Sequence, residues 1–533
     1  MESAGGGARL TRADLLKLGL LSGAGLVVPF TYSATTRARA LDRLPASRIP
    51  EPFQVPLAIP PIARPVRRDA RNDYYQLTMR RAFVRIMPGF PRTEIFGYDG
   101  ITPGPTIVAV TGRDAVVRHI NRLPRTSPFG HLNATSVHLH GMAPEPPFDG
   151  WADDLTEPGQ YKDYVWPNDQ GQRLLWYHDH AVHHTALNTY LGLAGFYSPD
   201  LNDPSGPFVS ELPRGRYFVP LMLQDKIFSR DGQLVFDDGG EKSLYGDVIL
   251  VNGAPWPVMP VERRKYVLGF LNASNSRGFN LALSTDEPFL FIGQDAGLGP
   301  APVDVESFRI GPGERYGLVL DFAKHRIGAR IVLENRELKN NEDFPSTRQV
   351  MRFDVVSDAT STANNVIPDI LVPARRDPDH PHDPMPLQES QAVTTRDFRF
   401  ERDNGLWTVN GVTWEEGRVR AQPGHDDVEV WRFINNSGGW NHPIHVHLVD
   451  FKILDRNGRP PFPYEVGRKD TVYVGEGETV RVIAKFGPKQ GKYMMHCHNT
   501  VHEDHDMMIA FQVGDGGAEP MSVPARNLPA PPL

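Results

Sequence analysis

The segment between residues 496 and 507 holds the only cysteine of the chain, with histidines on both sides of it. Cys497 stands between His496 and His498, and His502 and Met507 follow. Because neighbouring side chains of a β-strand point to opposite faces, the cysteine would face one way and both flanking histidines the other. A blue-copper electron-transfer site needs a thiolate, two histidines and a weak axial thioether, and this segment supplies three of those ligands. It therefore predicts two metal centres joined through one residue.

Three further histidine clusters lie upstream, and each contains a His-X-His pair. On a strand, both imidazoles of such a pair lie on one face, where they can share a metal or bridge neighbouring metals. Imidazole suits several transition metals, but the separate thiolate and thioether favour one blue copper connected to a copper cluster. His442 is then the missing ligand of the blue site, displaced from the adjacent strand by Pro443. The four pairs are His138/His140, His178/His180, His445/His447 and His496/His498.

In these motifs the chain resembles the multicopper oxidases, in particular the group of bacterial spore-coat laccase, bilirubin oxidase and phenoxazinone synthase. The four motifs match in order over roughly residues 55 to 515. The resemblance implies four coppers per chain, one of type 1, one of type 2 and a type 3 pair. It implies that the type 1 ligands are His442, Cys497, His502 and Met507. It implies type 2 ligands His138 and His445, and type 3 ligands His140, His178, His180, His447, His496 and His498.

Two acidic residues fit positions that assist proton delivery and oxygen reduction in this group. Glu503 directly follows the ligand His502, which favours a functional carboxylate. Asp149 lies in a Pro-Pro-Phe-Asp-Gly segment, where a simple turn carboxylate is an equally good interpretation. The remaining histidines of interest break the ligand spacing or stand alone, and we expect them to be solvated or hydrogen-bonded. They are His183, His184, His380, His382 and His505.

Length and composition predict an all-β protein with about three β-sandwich domains, and the resemblance implies that these are cupredoxin-like Greek-key sandwiches. The 533 residues are too many for one core, and 49 Gly and 49 Pro punctuate short runs rich in β-formers. An internal repeat supports three domains, because strand endings at Asn121, Asn272 and Asn435 stand 151 and then 163 residues apart. A net charge of −7 and a pI near 6.3 provide no broad basic surface for nucleic acid.

The motifs and the repeat predict five segments along the chain. We assign 1–54 to a leader and arm, 55–205 to domain 1, 206–360 to domain 2, 361–395 to a linker or external loop, and 396–533 to domain 3. The ligand motifs fall only in domains 1 and 3, so these two domains must meet face to face around the cluster. Domain 2 carries no ligand motif and is interpreted as a spacer that helps to wall the substrate site.

The N-terminus has the features of an export signal. Basic residues precede an apolar segment at 18–30, which is too short to span a bilayer, and Ala38–Ala40 resembles a cleavage site. The segment 11–17 resembles a twin-arginine motif in which Ala13 replaces the second arginine. We expect an exported protein without a membrane span. An uncleaved leader and a cytoplasmic or spore-associated location stay open as alternatives.

The resemblance implies that a small aromatic reducing substrate is oxidised one electron at a time at the type 1 copper. Dioxygen is then reduced by four electrons to water at the cluster. An axial Met507 favours a moderate potential, so phenols, aminophenols and aromatic amines are the expected substrates. We expect the substrate to approach the ring edge of His442 or His502, because an exposed ligand offers the shortest path to the metal.

Several other activities are compatible with part of these motifs. Bilirubin oxidase or phenoxazinone synthase-type activity is the first alternative. A cuprous-ion oxidase shares the copper motifs, although the 13 methionines form no Met-rich insertion. A copper nitrite reductase needs only one histidine beside its cysteine and only two sandwich domains. A non-enzymatic copper-binding envelope protein would keep the fold, and dioxygen uptake with a simple phenol separates it from an oxidase.

Overall fold

The computed structural model describes residues 42–171, 173–199, 211–371 and 382–533. The predicted signal segment and His380 lie outside these ranges, so the leader stays a prediction. The described chain is 45% strand and 7% helix, which confirms the all-β expectation. No helix within the described residues is long and apolar enough to cross a membrane.

The first unit consists of the strands before residue 200, which form two sheets. One sheet has the order β1-β2-β5-β7 with β3 paired to β2, and the other has the order β4-β9-β8-β6. A buried helix, α1 (Thr185–Leu191), connects β8 to β9. The strands are β1 (Arg67–Arg68), β2 (Asn72–Val84), β3 (Thr93–Tyr98), β4 (Gly104–Ala109), β5 (Asp114–Arg122), β6 (Val137–His140), β7 (Gln160–Trp166), β8 (Leu175–Asp179) and β9 (Ala194–Pro199).

The middle unit follows and also has two sheets. Their orders are β12-β11-β10-β14-β19-β16-β17 and β13-β21-β20-β15-β18. The strands are β10 (Phe218–Lys226), β11 (Val248–Val251), β12 (Ala254–Pro255), β13 (Val258–Arg263), β14 (Lys265–Asn272), β15 (Phe279–Leu283), β16 (Phe289–Gln294), β17 (Gly297–Val305), β18 (Ser307–Ile310), β19 (Arg315–Asp321), β20 (Arg330–Arg336) and β21 (Gln349–Asp358).

The third unit completes the molecule with sheets β23-β22-β25-β29-β27 and β24-β31-β30-β26-β28. A short helix, α2 (Thr500–Asp504), follows β30. The strands are β22 (Thr394–Asp403), β23 (Leu406–Val409), β24 (Val419–Ala421), β25 (Val428–Asn435), β26 (His442–Val446), β27 (Phe451–Arg456), β28 (Thr471–Val474), β29 (Thr479–Lys485), β30 (Gly491–Cys497) and β31 (Met508–Val513). A last strand, β32 (Arg526–Asn527), returns to pair with β7. Single 3-10 turns lie at Ala46–Arg48, Pro146–Phe148, Gly215–Tyr217, Phe322–Lys324, Pro345–Arg348, Glu389–Gln391 and Pro463–Glu465.

The predicted repeat corresponds to one hydrogen-bonding device used three times. In each unit the side-chain oxygen of the closing asparagine accepts a hydrogen bond at 3.0 Å from the N–H two residues later. Its amide group donates to two main-chain carbonyls, one 5 to 12 residues later and one 35 to 40 residues later. A buried asparagine placed in this way satisfies several loop carbonyls at once. The three residues are Asn121, Asn272 and Asn435.

The strand that ends in each asparagine also pairs in the same way. It runs parallel to the first long strand of its unit, as β5 does with β2, β14 with β10, and β25 with β22. This shared pairing confirms three related sandwiches, while the predicted domain limits at 55, 206, 361 and 396 stay predictions.

The core of the third unit surrounds the cysteine. Cys497 and Met507 are fully buried there, among aromatic and branched side chains that include Phe433 and Val482. Burying one such side chain stabilises the fold by about 1.5–3 kcal/mol. A separate and larger core runs continuously through the first and middle units. The cysteine therefore lies inside one sandwich, while the histidines flanking it face another.

Candidate metal centre

Two pairs of antiparallel strands bring the histidine motifs together. In the first unit β6 pairs with β8, and His138 lies opposite His178. In the third unit β26 pairs with β30, and His445 lies opposite His496. Because side chains alternate along a strand, both rings of each His-X-His pair face the same side. All eight rings are almost completely buried where the two units meet, as the sequence predicted.

The ring nitrogens form three groups, in each of which all ligand atoms lie within 4.8 Å of one another. The first group joins a histidine of the third unit to two of the first. Each of the other two groups also contains histidines of the first and third units. The sequence analysis gave these six histidines as one set and did not divide them into two groups of three. The groups are His138/His140/His445, His140/His178/His498 and His180/His447/His496.

The buried ring nitrogens have the arrangement that metal ligands require. The Nε2 atoms of His138, His178 and His445 have no hydrogen-bond partner among the described residues. Their Nδ1–H groups donate to main-chain carbonyls at 2.5, 2.8 and 2.8 Å. An unpaired buried polar atom costs about 1–3 kcal/mol, whereas a neutral imidazole with its other nitrogen engaged is a good transition-metal ligand. These rings therefore fit bound copper.

A second group of donor atoms surrounds the cysteine. The Sγ of Cys497 lies 3.2 Å from the Nδ1 of His442 and 3.6 Å from the Nδ1 of His502. The two Nδ1 atoms are 3.2 Å apart, so the three atoms form a small triangle. Met507 is fully buried in the same core, and its carbonyl accepts a hydrogen bond from the N–H of Cys497 at 3.1 Å. A soft sulfur with two imidazoles suits copper.

Comparisons with known proteins agree with these two ligand sets. Sequence models of a family described as multicopper oxidase match residues 84–200 and 380–517. Bilirubin oxidase of Albifimbria verrucaria is 41% identical over 485 residues, which cover 86% of this chain and 81% of that protein. The chain belongs to the multicopper oxidase family. Laccase of Bacillus subtilis is 33% identical over 518 residues, which cover 87% of this chain and 99% of that protein.

Solved structures of multicopper oxidases have the same fold. A laccase from Pediococcus acidilactici matches with a TM-score of 0.76 at 27% identity, covering 87% of this chain and 95% of that chain. McoA, a multicopper oxidase of Aquifex aeolicus, matches with a TM-score of 0.71 at 26% identity and covers 86% and 100%. The protein is therefore a copper-dependent oxidoreductase with cupredoxin-like domains, as the motifs predicted.

The multicopper oxidase fold of this chain encloses the cysteine group more completely than we expected. His442 and His502 are both fully buried, so the expectation that a ligand ring edge lies at the surface is wrong. Trp407 stacks on His502 with 3.7 Å between ring centroids. The Nε2–H of His502 donates to the carbonyl of Lys242 at 2.7 Å, and that of His442 donates to the hydroxyl of Ser437 at 2.8 Å.

The two predicted carboxylates both contact histidines of the cluster. Asp149 places Oδ2 2.8 Å from the Nδ1 of His447. Glu503 places Oε2 3.1 Å from the Nδ1 of His496 and Oε1 3.5 Å from that of His180. Burial raises the pKa of Asp149 well above its usual range. Burial also acts to raise the pKa of Glu503, but His496 and His180 outweigh it and lower that pKa to about 2.

Sequence reasoning missed Asp470, which contacts two histidines of the cluster. Its Oδ1 lies 3.0 Å from the Nε2 of His140, and its carbonyl accepts from the Nδ1–H of His445 at 2.8 Å. Asp470 belongs to no ligand motif. The one available signal is the charged pair Lys469-Asp470 immediately before the apolar strand β28.

The middle unit is more than a spacer at this multicopper oxidase cluster. Arg315 of β19 contacts Asp470, and Gly313 packs on the ring of His498. A Cβ atom on Gly313 would lie 2.7 Å from that ring, which favours a glycine there. The middle unit therefore builds part of the wall of the cluster although it supplies no predicted ligand.

The histidines that we set aside are outside all of these groups. His183 bonds to the carbonyl of Asp504 at 2.9 Å, and His382 to the carboxylate of Asp426 at 3.0 Å. His505 bonds to a carbonyl at 2.6 Å. These contacts agree with the interpretation of His183, His382 and His505 as hydrogen-bonded residues. The expectation is not met for His184, whose buried Nδ1 has no hydrogen-bond partner among the described residues.

Proposed function

We propose that the protein is a laccase-like oxidase. It couples one-electron oxidation of phenols, aminophenols or aromatic amines to the four-electron reduction of dioxygen to water. The observation that carries the proposal is the position of Cys497 between two ligand sets. Its sulfur belongs to the triangle in the third unit, while the neighbouring His496 and His498 belong to the cluster between units. Two adjacent peptide bonds thus connect the site of electron entry to the site of oxygen reduction.

The copper assignment is part of this proposal. One copper would be held by His442, Cys497 and His502, with the thioether of Met507 as a further weak ligand. A second would be held by His138 and His445. A pair would be held by two sets of three histidines, His140/His178/His498 and His180/His447/His496. Bound copper supplies the electron acceptor at the cysteine and the reducing centre for dioxygen at the cluster. Burial raises the pKa of the Cys497 thiol, so the thiolate depends on a bound cation.

The chain itself provides water exclusion and proton handling around the cluster. Reduction of one dioxygen to two waters consumes four protons, and these must reach rings that are almost wholly buried. Glu503 contacts His180 and His496 at one side, and Asp149 contacts His447 at another. We assign proton delivery to Glu503 and regard Asp149 as the second candidate.

An aromatic reductant is favoured by the surface above the cysteine group. The guanidinium carbon of Arg402 lies 4.5 Å from the ring centroid of Trp407 and 5.1 Å from that of Trp440. Arg402 and Trp440 are half-exposed, whereas Trp407 is buried against His502. We propose that planar electron-rich substrates bind at Trp440 and Arg402, because both present flat faces for stacking.

Bilirubin oxidase activity is a second candidate, since the bilirubin oxidase of Albifimbria verrucaria is 41% identical to this chain.

We also propose that the protein is exported, because the N-terminal sequence has basic residues, an apolar segment and a segment that resembles a cleavage site.

A substrate panel on copper-loaded protein tests these assignments. We expect dioxygen uptake with a simple phenol and an o-aminophenol, four coppers per chain, and water as the product. Bilirubin and Cu(I) in the same assay separate the alternatives by relative rates. Absence of dioxygen uptake with every reductant, or a fully loaded active protein containing zinc or only two coppers, would contradict the proposal.

A further inference from the structure

Arg315 is a buried arginine of the middle unit whose donors are all used at the junction of the three units. Its Nη1 and Nη2 both lie 2.6 Å from the carboxylate oxygens of Asp470 in the third unit. Its Nε donates to the carbonyl of Leu174 in the first unit at 3.1 Å. The remaining N–H groups donate to the carbonyls of Gly313 and Asp295 at 3.2 and 2.9 Å. The five N–H donors of the guanidinium group therefore contact all three units.

Asp470, the partner of Arg315, holds one histidine from each of the two units that supply ligands. Its Oδ1 lies 3.0 Å from the Nε2 of His140 in the first unit. Its carbonyl accepts from the Nδ1–H of His445 in the third unit at 2.8 Å. The hydroxyl of Thr471 adds a contact of 2.9 Å to the same Nε2 of His140.

These contacts determine which nitrogen of each ring faces the cluster. His140 directs Nδ1 inward and His445 directs Nε2 inward, and neither atom has a hydrogen-bond partner among the described residues. For His140, the proton must sit on Nε2 if Nδ1 is to offer a lone pair. A carboxylate acceptor at Nε2 secures that tautomer and the orientation of the ring.

We propose that Arg315 is a positioning residue of the copper cluster. By fixing the carboxylate of Asp470 in a bidentate contact, it sets the tautomer and orientation of His140 and holds the segment that bonds to His445. The middle unit, which supplies no predicted ligand, thus controls the binding of copper at the cluster between the first and third units. The proposal rests on the proposed copper ligands, and it adds a role that the ligand motifs do not contain.

Four variants test this role. Arg315→Gln removes both the positive charge and the bidentate contact with the carboxylate. Arg315→Lys keeps the charge but cannot make the bidentate contact, and Asp470→Asn removes the negative charge of the carboxylate. Arg277→Gln is the matched control. Arg277 is equally buried in the middle unit, and its guanidinium group bonds to Asp225 at 3.0 Å and to Asp343, Gly246 and Glu342, none of which belongs to the cluster.

The measurements are copper per chain, affinity of the cluster for copper in a chelator competition, the blue absorption band, and Tm of the copper-free proteins. We expect Arg315→Gln and Asp470→Asn to bind cluster copper about 10- to 100-fold more weakly, with the blue band unchanged. Arg315→Lys should be intermediate. Arg277→Gln should lower Tm without changing cluster affinity.

Normal cluster affinity in Arg315→Gln would overturn the proposal. Parallel loss of the blue band and of cluster copper would also overturn it, because that result indicates general unfolding. If Arg315→Gln does not fold, Arg315→Lys and Asp470→Asn decide by the same criteria. A wild-type protein that fails to bind four coppers would instead contradict the proposed function.

Discussion

The two ligand sets of this protein are built in different ways. The cysteine triangle takes His442, Cys497 and His502 from one unit, on β26, β30 and α2. The histidine cluster takes its rings from two units and needs the contact between Arg315 and Asp470 from the middle one. One set therefore depends on the folding of a single sandwich, and the other depends on the assembly of three.

The residues around the two sets differ in charge as well. The outer nitrogens of the triangle contact a hydroxyl and a main-chain carbonyl, and a tryptophan stacks on one ring. In the cluster, three outer nitrogens also contact main-chain carbonyls, but those of His447, His140 and His496 contact the carboxylates of Asp149, Asp470 and Glu503. Carboxylates can bind and release protons, whereas a serine hydroxyl and a main-chain carbonyl do not titrate at ordinary pH. The difference matches a division between electron transfer at the triangle and proton-coupled reduction at the cluster.

Cys497→Ser should have the largest effect, because serine offers no soft thiolate for copper. We expect complete loss of the blue band and of turnover, while the cluster keeps its copper since none of its rings changes. Absorption spectra and copper per chain measure both. A blue variant with normal turnover would show that the cysteine is not the link between the two sets.

His138→Ala tests the cluster from the opposite side. It should remove the copper shared with His445 and stop dioxygen reduction, while the blue band persists because His138 does not touch the triangle. His325→Ala is the control, because that histidine pairs with Glu287 at 3.1 Å in the middle unit. Disappearance of the blue band from a folded His138→Ala protein would refute the separation of the two sets.

Glu503→Gln should slow the cluster without emptying it. Glutamine keeps the shape and a hydrogen-bonding group but cannot carry the proton. We expect full copper, normal reduction of the blue band by substrate, and reoxidation in air about 10²-fold slower. Stopped-flow reoxidation of the pre-reduced variant measures this, with Asp149→Asn alongside. If reoxidation is as fast as in the wild type, proton delivery passes to Asp149.

Met507→Leu should have the smallest effect and should be confined to the triangle. Cys497, His442 and His502 still bind the copper, but the loss of a soft axial donor raises the reduction potential. A redox titration of the blue band measures the shift. Met508→Leu is the matched control, because the side chain of Met508 is buried in a separate group of hydrophobic residues that includes Trp151. An unchanged potential in Met507→Leu with a shift in Met508→Leu would exchange the two assignments.

The strand placement of most ligands could be predicted from local patterns. The expectation that Pro443 displaces His442 from the strand of His445 is wrong, because both residues lie in β26 and pair with β28. Alternation along β30 placed Cys497 opposite to His496 and His498, and the triangle and cluster have that arrangement. The threefold repeat was also correct, because each closing asparagine makes its bonds within its own unit. The alternation depends on short-range geometry, and the repeat can be detected because the same pattern of strand and turn residues recurs along the sequence.

The surroundings of the ligands could not be predicted in this way. The Nε2–H of the buried His502 donates to the carbonyl of Lys242, which lies 260 positions before it in the sequence. The contact between Arg315 and Asp470 joins residues 155 positions apart on different sandwiches.

The sequence by itself predicted the candidate ligands, copper as the metal and the three sandwiches, because alternation and donor chemistry act over a few residues. Only the tertiary structure decided which rings form each group, which carboxylates hold them and how deeply the cysteine site lies. Those properties depend on how separately folded surfaces pack against each other, and no local pattern specifies that packing.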